Sequence, residues 1–261
     1  MAGGRRGRSH PRPRLPAPAP ARTLSFGQPV HRYERVDSTQ TIARRLAAEG
    51  AAHGTVVVAA EQTQGRGRRG NSFYSPPGGL YVSIVLRPDL PPSRMPLISL
   101  AAGVAAAGTV RELAGIEPLL KWPNDVLVRG RKVCGILAEL AAGSAILGMG
   151  LNVNTPASDF SAELRTKMTS ILAETSQPLD LSEVLDTLLA HLHRELSDPD
   201  RIVSRWRATP SMLGGQVRVQ TGDVALEGRA WDLDDDGALL LRLPSGAIRR
   251  LVAGEVHLLP T

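Results

Sequence analysis

The chain has 261 residues, 42% of them hydrophobic and 21% charged, with a net charge of +6 and one cysteine. That is enough chain and enough apolar side chain for one large domain, or a main domain with a small appendage. A single cysteine, Cys134, excludes an intrachain disulfide or a cysteine zinc cluster and fits a reducing cytosol, and the positive charge is confined to one end.

That end comes first in chain order. Residues 1–25 hold Arg5, Arg6, Arg8, Arg12, Arg14 and Arg22 and no acid, so the other 236 residues carry 25 basic and 25 acidic groups. A segment rich in Pro, Arg, Gly and Ala cannot bury enough surface to order itself and is expected to be a disordered tail. It lacks the apolar stretch of a secretory signal. The neutral body argues against a DNA-binding face built on the fold.

An Ala-rich helix is expected from Asp37, with Ser38 and Thr39 as N-cap residues, Ile42 and Leu46 as its apolar stripe and Gly50 as its stop. Strands follow at Thr55–Ala60 and Leu80–Leu86. The uncharged run Met95–Val110 is too short for a bilayer and reads as part of a buried helix ending at Gly115. Further strands are expected at Pro118–Trp122, Val126–Val128, Val133–Leu140 and Ala145–Asn152, with a tight turn at Arg129-Gly130-Arg131. Helices follow at Leu181–Leu196 and Arg201–Arg207. After Pro210, short strands at Val217–Gln220, Val224–Ala230, Ala238–Leu243, Ala247–Val252 and Val256–Leu259 point to a small all-β barrel. The division is a tail at 1–25, a main domain at 26–210 and a β domain at 211–261. The class is α+β, a mixed sheet flanked by helices.

Gly65-Arg-Gly67-Arg-Arg-Gly70 matches a dinucleotide-binding fingerprint after a strand, but Asn71–Gly79 cannot open the helix that must hold the pyrophosphate. It reads instead as a glycine-hinged loop whose arginines close over an anion, or as an RNA-contacting Arg/Gly segment. Asp232, Asp234 and Asp236 before Gly237 start like an EF-hand loop, but Leu243 stands where the bidentate carboxylate belongs, so this is an acidic turn. The chain uses 28 Arg and only three Lys, of which Lys121 and Lys132 flank Lys121-Trp-Pro-Asn-Asp125 and the next turn. Keeping lysine there indicates a need for a compact ammonium.

Asp37-Ser-Thr39, Gln62 before the Gly65–Gly70 loop, Lys121–Asp125, Arg131-Lys-Val-Cys-Gly-Ile-Leu137 and Gly148-Met-Gly-Leu-Asn152, in that order, resemble a biotin protein ligase. The resemblance runs over about residues 33–258, with Gln40 departing from the usual Asn. It implies a catalytic domain similar to class II aminoacyl-tRNA synthetases with an SH3-like C-terminal domain. It implies ATP and biotin as substrates, Mg²⁺ brought with ATP and no protein metal site. By the same resemblance Ser38, Thr39, Gln62, Gly65, Arg66, Lys132 and Gly135 bind biotin. Arg66, Arg68, Lys121, Asn124, Asp125, Lys132 and Asn152 bind ATP, and Lys132, Arg68 and Asp125 are catalytic. Phe73 would supply a stacking surface on the closed loop. The implied partner is a biotin carboxyl carrier domain of an acetyl-CoA, acyl-CoA or pyruvate carboxylase, met in the cytoplasm by a monomer or weak homodimer, with no nucleic acid and no membrane. The segment before the catalytic region is too short for the winged helix of regulatory members. A lipoate-protein ligase and an Arg/Gly-loop RNA- or protein-binding module are the alternatives.

Overall fold

The computed structural model describes residues 26–259, so the expected tail at 1–25 lies outside the described residues. The elements are β1 (Val30–Val36), α1 (Thr39–Ala48), β2 (Thr55–Gln62), β3 (Leu80–Leu86), α2 (Leu97–Ala114), β4 (Leu119–Lys121), β5 (Asp125–Val128), β6 (Arg131–Ala141) and β7 (Ser144–Leu151). They continue with α3 (Ala162–Lys167), α4 (Ile171–Thr175), α5 (Leu181–Leu196), α6 (Ile202–Ala208), β8 (Gln216–Thr221), β9 (Val224–Leu233), β10 (Leu239–Arg242), β11 (Ile248–Leu251) and β12 (Glu255–Leu258).

Seven strands form one sheet in the order β1-β2-β3-β7-β6-β5-β4. β1 and β2 are parallel and the other neighbours antiparallel, so the sheet is mixed. Side chains alternate across it with period two. Val57, Val85 and Ile146 pack under Ala43 and Ala47 of α1 on one face. Val56, Val82, Ile84 and Leu147 pack against α2 and α5 on the other. Covering both faces buries all seven residues of β3 and the first five of β2. That is why both read in sequence as continuous apolar runs.

The helical stretch Pro92–Ala114 is long and apolar enough to cross a membrane, a correction to the expectation from the shorter uncharged run Met95–Val110. Its small residues are instead buried between the sheet and α5. At Gly108 the His191 ring lies 2.9 Å from where a Cβ would stand. Gly115, at φ 64°, ends the helix in the left-handed conformation that glycine adopts without strain. The β5–β6 turn has positive φ at both Arg129 and Gly130, the twist a two-residue hairpin needs. Ser38 is the N-cap of α1 and Thr39 its first helical residue, where both were expected to cap.

β1, α3 and α4 were not expected. The second sheet, β11-β10-β9-β8-β12, is antiparallel throughout. The Trp122 indole donates across to Gly237 O at 2.9 Å, and Arg207 pairs with Asp232 at 2.7 Å. The acidic turn clamps Arg250 between Asp234 and Asp236.

Candidate active site

The centre of the large sheet lacks side chains where three glycines sit on adjoining strands. Gly135 faces Gly150, and Leu137 faces Gly148, across the β6–β7 ladder. A Cβ on Gly148 would lie 2.6 Å from Gln40 Oε1, one on Gly135 would lie 2.8 Å from Lys132 Cε, and one on Gly150 would strike the Phe73 ring. The space is filled by neighbours rather than by the strands themselves.

The N-terminus of α1 supplies the polar side of this hollow. The Thr39 N–H donates to Gln62 Oε1 at 2.9 Å. Thr39 Oγ1 is 2.8 Å from Ser83 Oγ, and Ser83 donates to Gln40 Oε1 at 3.0 Å. Gln40 Nε2 is taken by Glu139 at 3.0 Å and Ile146 O at 3.1 Å. Gln62 Nε2 donates to Ser75 Oγ, and Ser75 in turn to Phe73 O, both at 2.9 Å. A continuous chain of neutral donors and acceptors therefore runs from the sheet floor into the glycine-rich loop.

The β4–β5–β6 meander supplies the charges. Lys132 Nζ lies 2.6 Å from Asp125 Oδ1, and Lys121 Nζ lies 3.7 Å from Asp125 Oδ2. Arg68 reaches in from the loop, donating to Asn124 Oδ1 at 3.0 Å and to Gly254 O of the second sheet at 3.4 Å. Burial lowers the pKa of Arg68, with the charge of Arg69 adding, while Asp125 and Glu255 oppose it. A guanidinium keeps its proton regardless, so three cations border one carboxylate. The Phe73 ring sits 5.6 Å from the Lys132 ammonium, within cation–π range.

Ser38, Thr39, Gln62, Arg66, Arg68, Phe73, Asn124, Lys132 and Gly135 all line one cavity of about 50 Å³. At about 10–15 Å³ per water it has room for only a few waters. Lys121 and Asp125 line an adjoining space of about 170 Å³, and Gly65 an outer groove of about 790 Å³. Asn152 stands apart from these walls. It is 1% exposed, its Nδ2 donates to Thr169 O at 2.9 Å, and its Oδ1 has no partner. The sequence reading missed Ser83, although a lone serine in an apolar strand was a signal, and set Gln40 aside as a departure. Gly254 and Glu255 carried no signal, because only the docking of the second sheet brings them to Arg68.

Residues 33–155 match the Biotin/lipoate A/B protein ligase family, and residues 212–259 match the Biotin protein ligase C terminal domain. A Paracoccus denitrificans biotin–[acetyl-CoA-carboxylase] ligase is 34% identical over 230 residues, covering 81% of this chain and 93% of that protein. The chain belongs to the biotin protein ligase family. Another relative, the Bacillus subtilis bifunctional ligase/repressor BirA, is 34% identical over 250 residues, 91% of this chain and 76% of that protein. The biotin protein ligase of Aquifex aeolicus, solved in complex with biotin and ATP, superposes with a TM-score of 0.79 at 30% identity, covering 90% of this chain and all of that one. The Arg/Gly loop of this biotin protein ligase lines its cavity through Arg66 and Arg68, which disfavours the reading as an RNA- or protein-binding module.

Proposed function

We propose that the protein activates biotin with ATP and transfers it to one lysine of a biotin carboxyl carrier domain, in the cytoplasm. In the first step a biotin carboxylate oxygen bonds to the α-phosphorus of ATP. The bond to the pyrophosphate oxygen breaks, leaving biotinyl-5′-AMP and pyrophosphate. In the second step the lysine amine attacks the acyl carbon, AMP leaves with the electron pair of the anhydride bond, and the amine loses a proton.

One observation carries this reading: a neutral polar floor and a cationic rim share a single cavity, with Lys132 at their junction. A neutral ureido ring suits Thr39, Gln40, Gln62 and Ser83, whereas a dithiolane has no group to pair with them, which disfavours lipoate. Joining a carboxylate to a phosphate sets like charges together, so fixed cations are the main catalytic requirement. Lys132 and Arg68 supply them, and Lys121 and Asn124 extend the polar edge. Asp125, next to Lys132, is assigned to orient the incoming amine and take its proton. Ser38 and Gly135 shape the biotin end, with Arg66 and Gly65 closing it. Asn152, which the family resemblance assigns to adenine, belongs at that end of the site, its buried amide held by Thr169 O. Mg²⁺ comes with ATP, held by phosphate oxygens and water; among the described residues no cluster of three His, Cys, Asp or Glu could hold it.

The test is transfer. Incubation with biotin, MgATP and a carboxylase carrier domain should add one biotin mass to one carrier lysine, and omission of ATP should abolish it. An unmodified carrier in the complete mixture contradicts the proposal.

A further inference from the structure

β6 carries Lys132 beside an irregularity. In the β5–β6 ladder Val126 pairs with Cys134 and the next residue, Leu127, with Lys132, so Val133 is an extra residue. A bulge of this kind interrupts the ladder and re-aims a side chain, leaving the strand's register to be fixed from outside.

The outside support comes from α4. The Glu174 side chain is 1% exposed and receives Arg129 at 3.1 Å and Arg131 at 2.7 Å. It also accepts the Thr169 hydroxyl at 2.6 Å. Arg129 is held at φ 49°, a costly conformation for a residue with a side chain. Arg131 precedes Lys132 on the strand. Neighbouring strand residues point to opposite faces, so fixing Arg131 toward Glu174 directs Lys132 toward Asp125.

Thr169 then joins two site residues. Its N–H donates to Lys132 O at 2.9 Å, and its C=O accepts Asn152 Nδ2 at 2.9 Å. Ile171 N also donates to Asn152 O at 3.0 Å, closing the connection from α4 back to the end of β7.

We propose that Glu174 is a positioning residue: through Thr169, Arg129 and Arg131 it sets the spacing between the Lys132 ammonium and the Asn152 amide. This rests on the reading above, in which Lys132 meets the reacting carboxylate and phosphate and Asn152 meets adenine. Glu174 thus holds the two ends of the nucleotide site together, while Thr39, Gln62 and Ser83 of the biotin floor, on α1, β2 and β3, make none of its contacts.

Biotin-dependent exchange of labelled pyrophosphate into ATP separates these ends. Glu174→Ala should lower kcat/KM for ATP by about tenfold or more, the scale of one lost hydrogen bond to a charged group, and leave KM for biotin unchanged. Glu174→Gln, which keeps an acceptor for Thr169, should recover most of the loss. Thr169→Val should reproduce the Glu174→Ala kinetics and decides the matter if Glu174→Ala does not fold. If the folded variants keep the parent's ATP kinetics and only melt lower, or lose biotin and ATP binding alike, Glu174 is structural alone and the proposal is overturned. If the parent itself shows no exchange with biotin, the ligase reading falls first and takes this one with it.

Discussion

Lys132 is the residue on which the proposed chemistry turns. Its ammonium sits between the polar hollow and Asp125, where the proposed reaction brings carboxylate and phosphate together. Lys132→Ala should fold normally and lose about 10²–10³-fold in adenylate formation, the usual consequence of removing one preorganised charge donor; pyrophosphate exchange measures it. Cys134, two residues on, is fully buried, and burial pushes its thiol up to about 12. The thiolate is therefore disfavoured in the fold. Its stability is unaffected below the ordinary thiol value near 9 and falls as pH rises from there toward 12. Native protein at pH 8 should resist iodoacetamide, with one adduct per chain appearing by mass spectrometry only after unfolding in urea. Residue usage made Lys132 legible in the sequence, because three lysines against 28 arginines left an unusual choice to explain. Nothing in residue type made Glu174 legible, since its partners at 129, 131 and 169 assemble only in the fold.

At the scale of elements, the loop from Gly65 to Gly79 is the part built to move. Its C-terminal half is tied to the body by the Gln62↔Ser75 bridge and by hydrogen bonds to Pro76 O from Tyr81, to Asp159 O from Tyr74 and to Gly78 O from Asn154 N. The Arg66↔Ser72 bridge only closes the tip on itself, and Arg68 carries the tip's side-chain bonds to Asn124 and Gly254. Fixing backbone costs about 1–2 kcal/mol per residue, and the tip around residues 66–72 has the fewest ties to offset it. Amide exchange should be faster in 65–79 than in β2 and β3 without ligand, and slow down when biotin and MgATP are added. Equal protection in both states contradicts a closing loop. The strands on either side of this loop were readable because both faces of the sheet are covered. β1 was not, because it is a half-exposed edge strand carrying Arg32, Glu34 and Arg35. α3 and α4 are a turn or two each and depend on the caps from Ser161 and Ser170 rather than on a helical apolar stripe.

At the scale of the molecule, the second sheet shares one hydrophobic core with the first and adds specific hydrogen bonds to it. Trp122 is 2% exposed and its indole donor satisfies Gly237 O. Trp122→Phe leaves that carbonyl without its partner and should cost about 1–3 kcal/mol, seen as a lower urea midpoint. The alternating strands and their turns made this unit legible in the sequence, whereas the reach of Gly254 to Arg68 belongs to the docked whole. The account as a whole stands on one claim, that the cavity takes biotin and joins it to AMP. The most direct measurement is exchange of labelled pyrophosphate into ATP by the purified protein, with biotin, with lipoate and with neither. The account predicts exchange with biotin and background rates in the other two. Exchange with lipoate instead, or none with biotin, would contradict it.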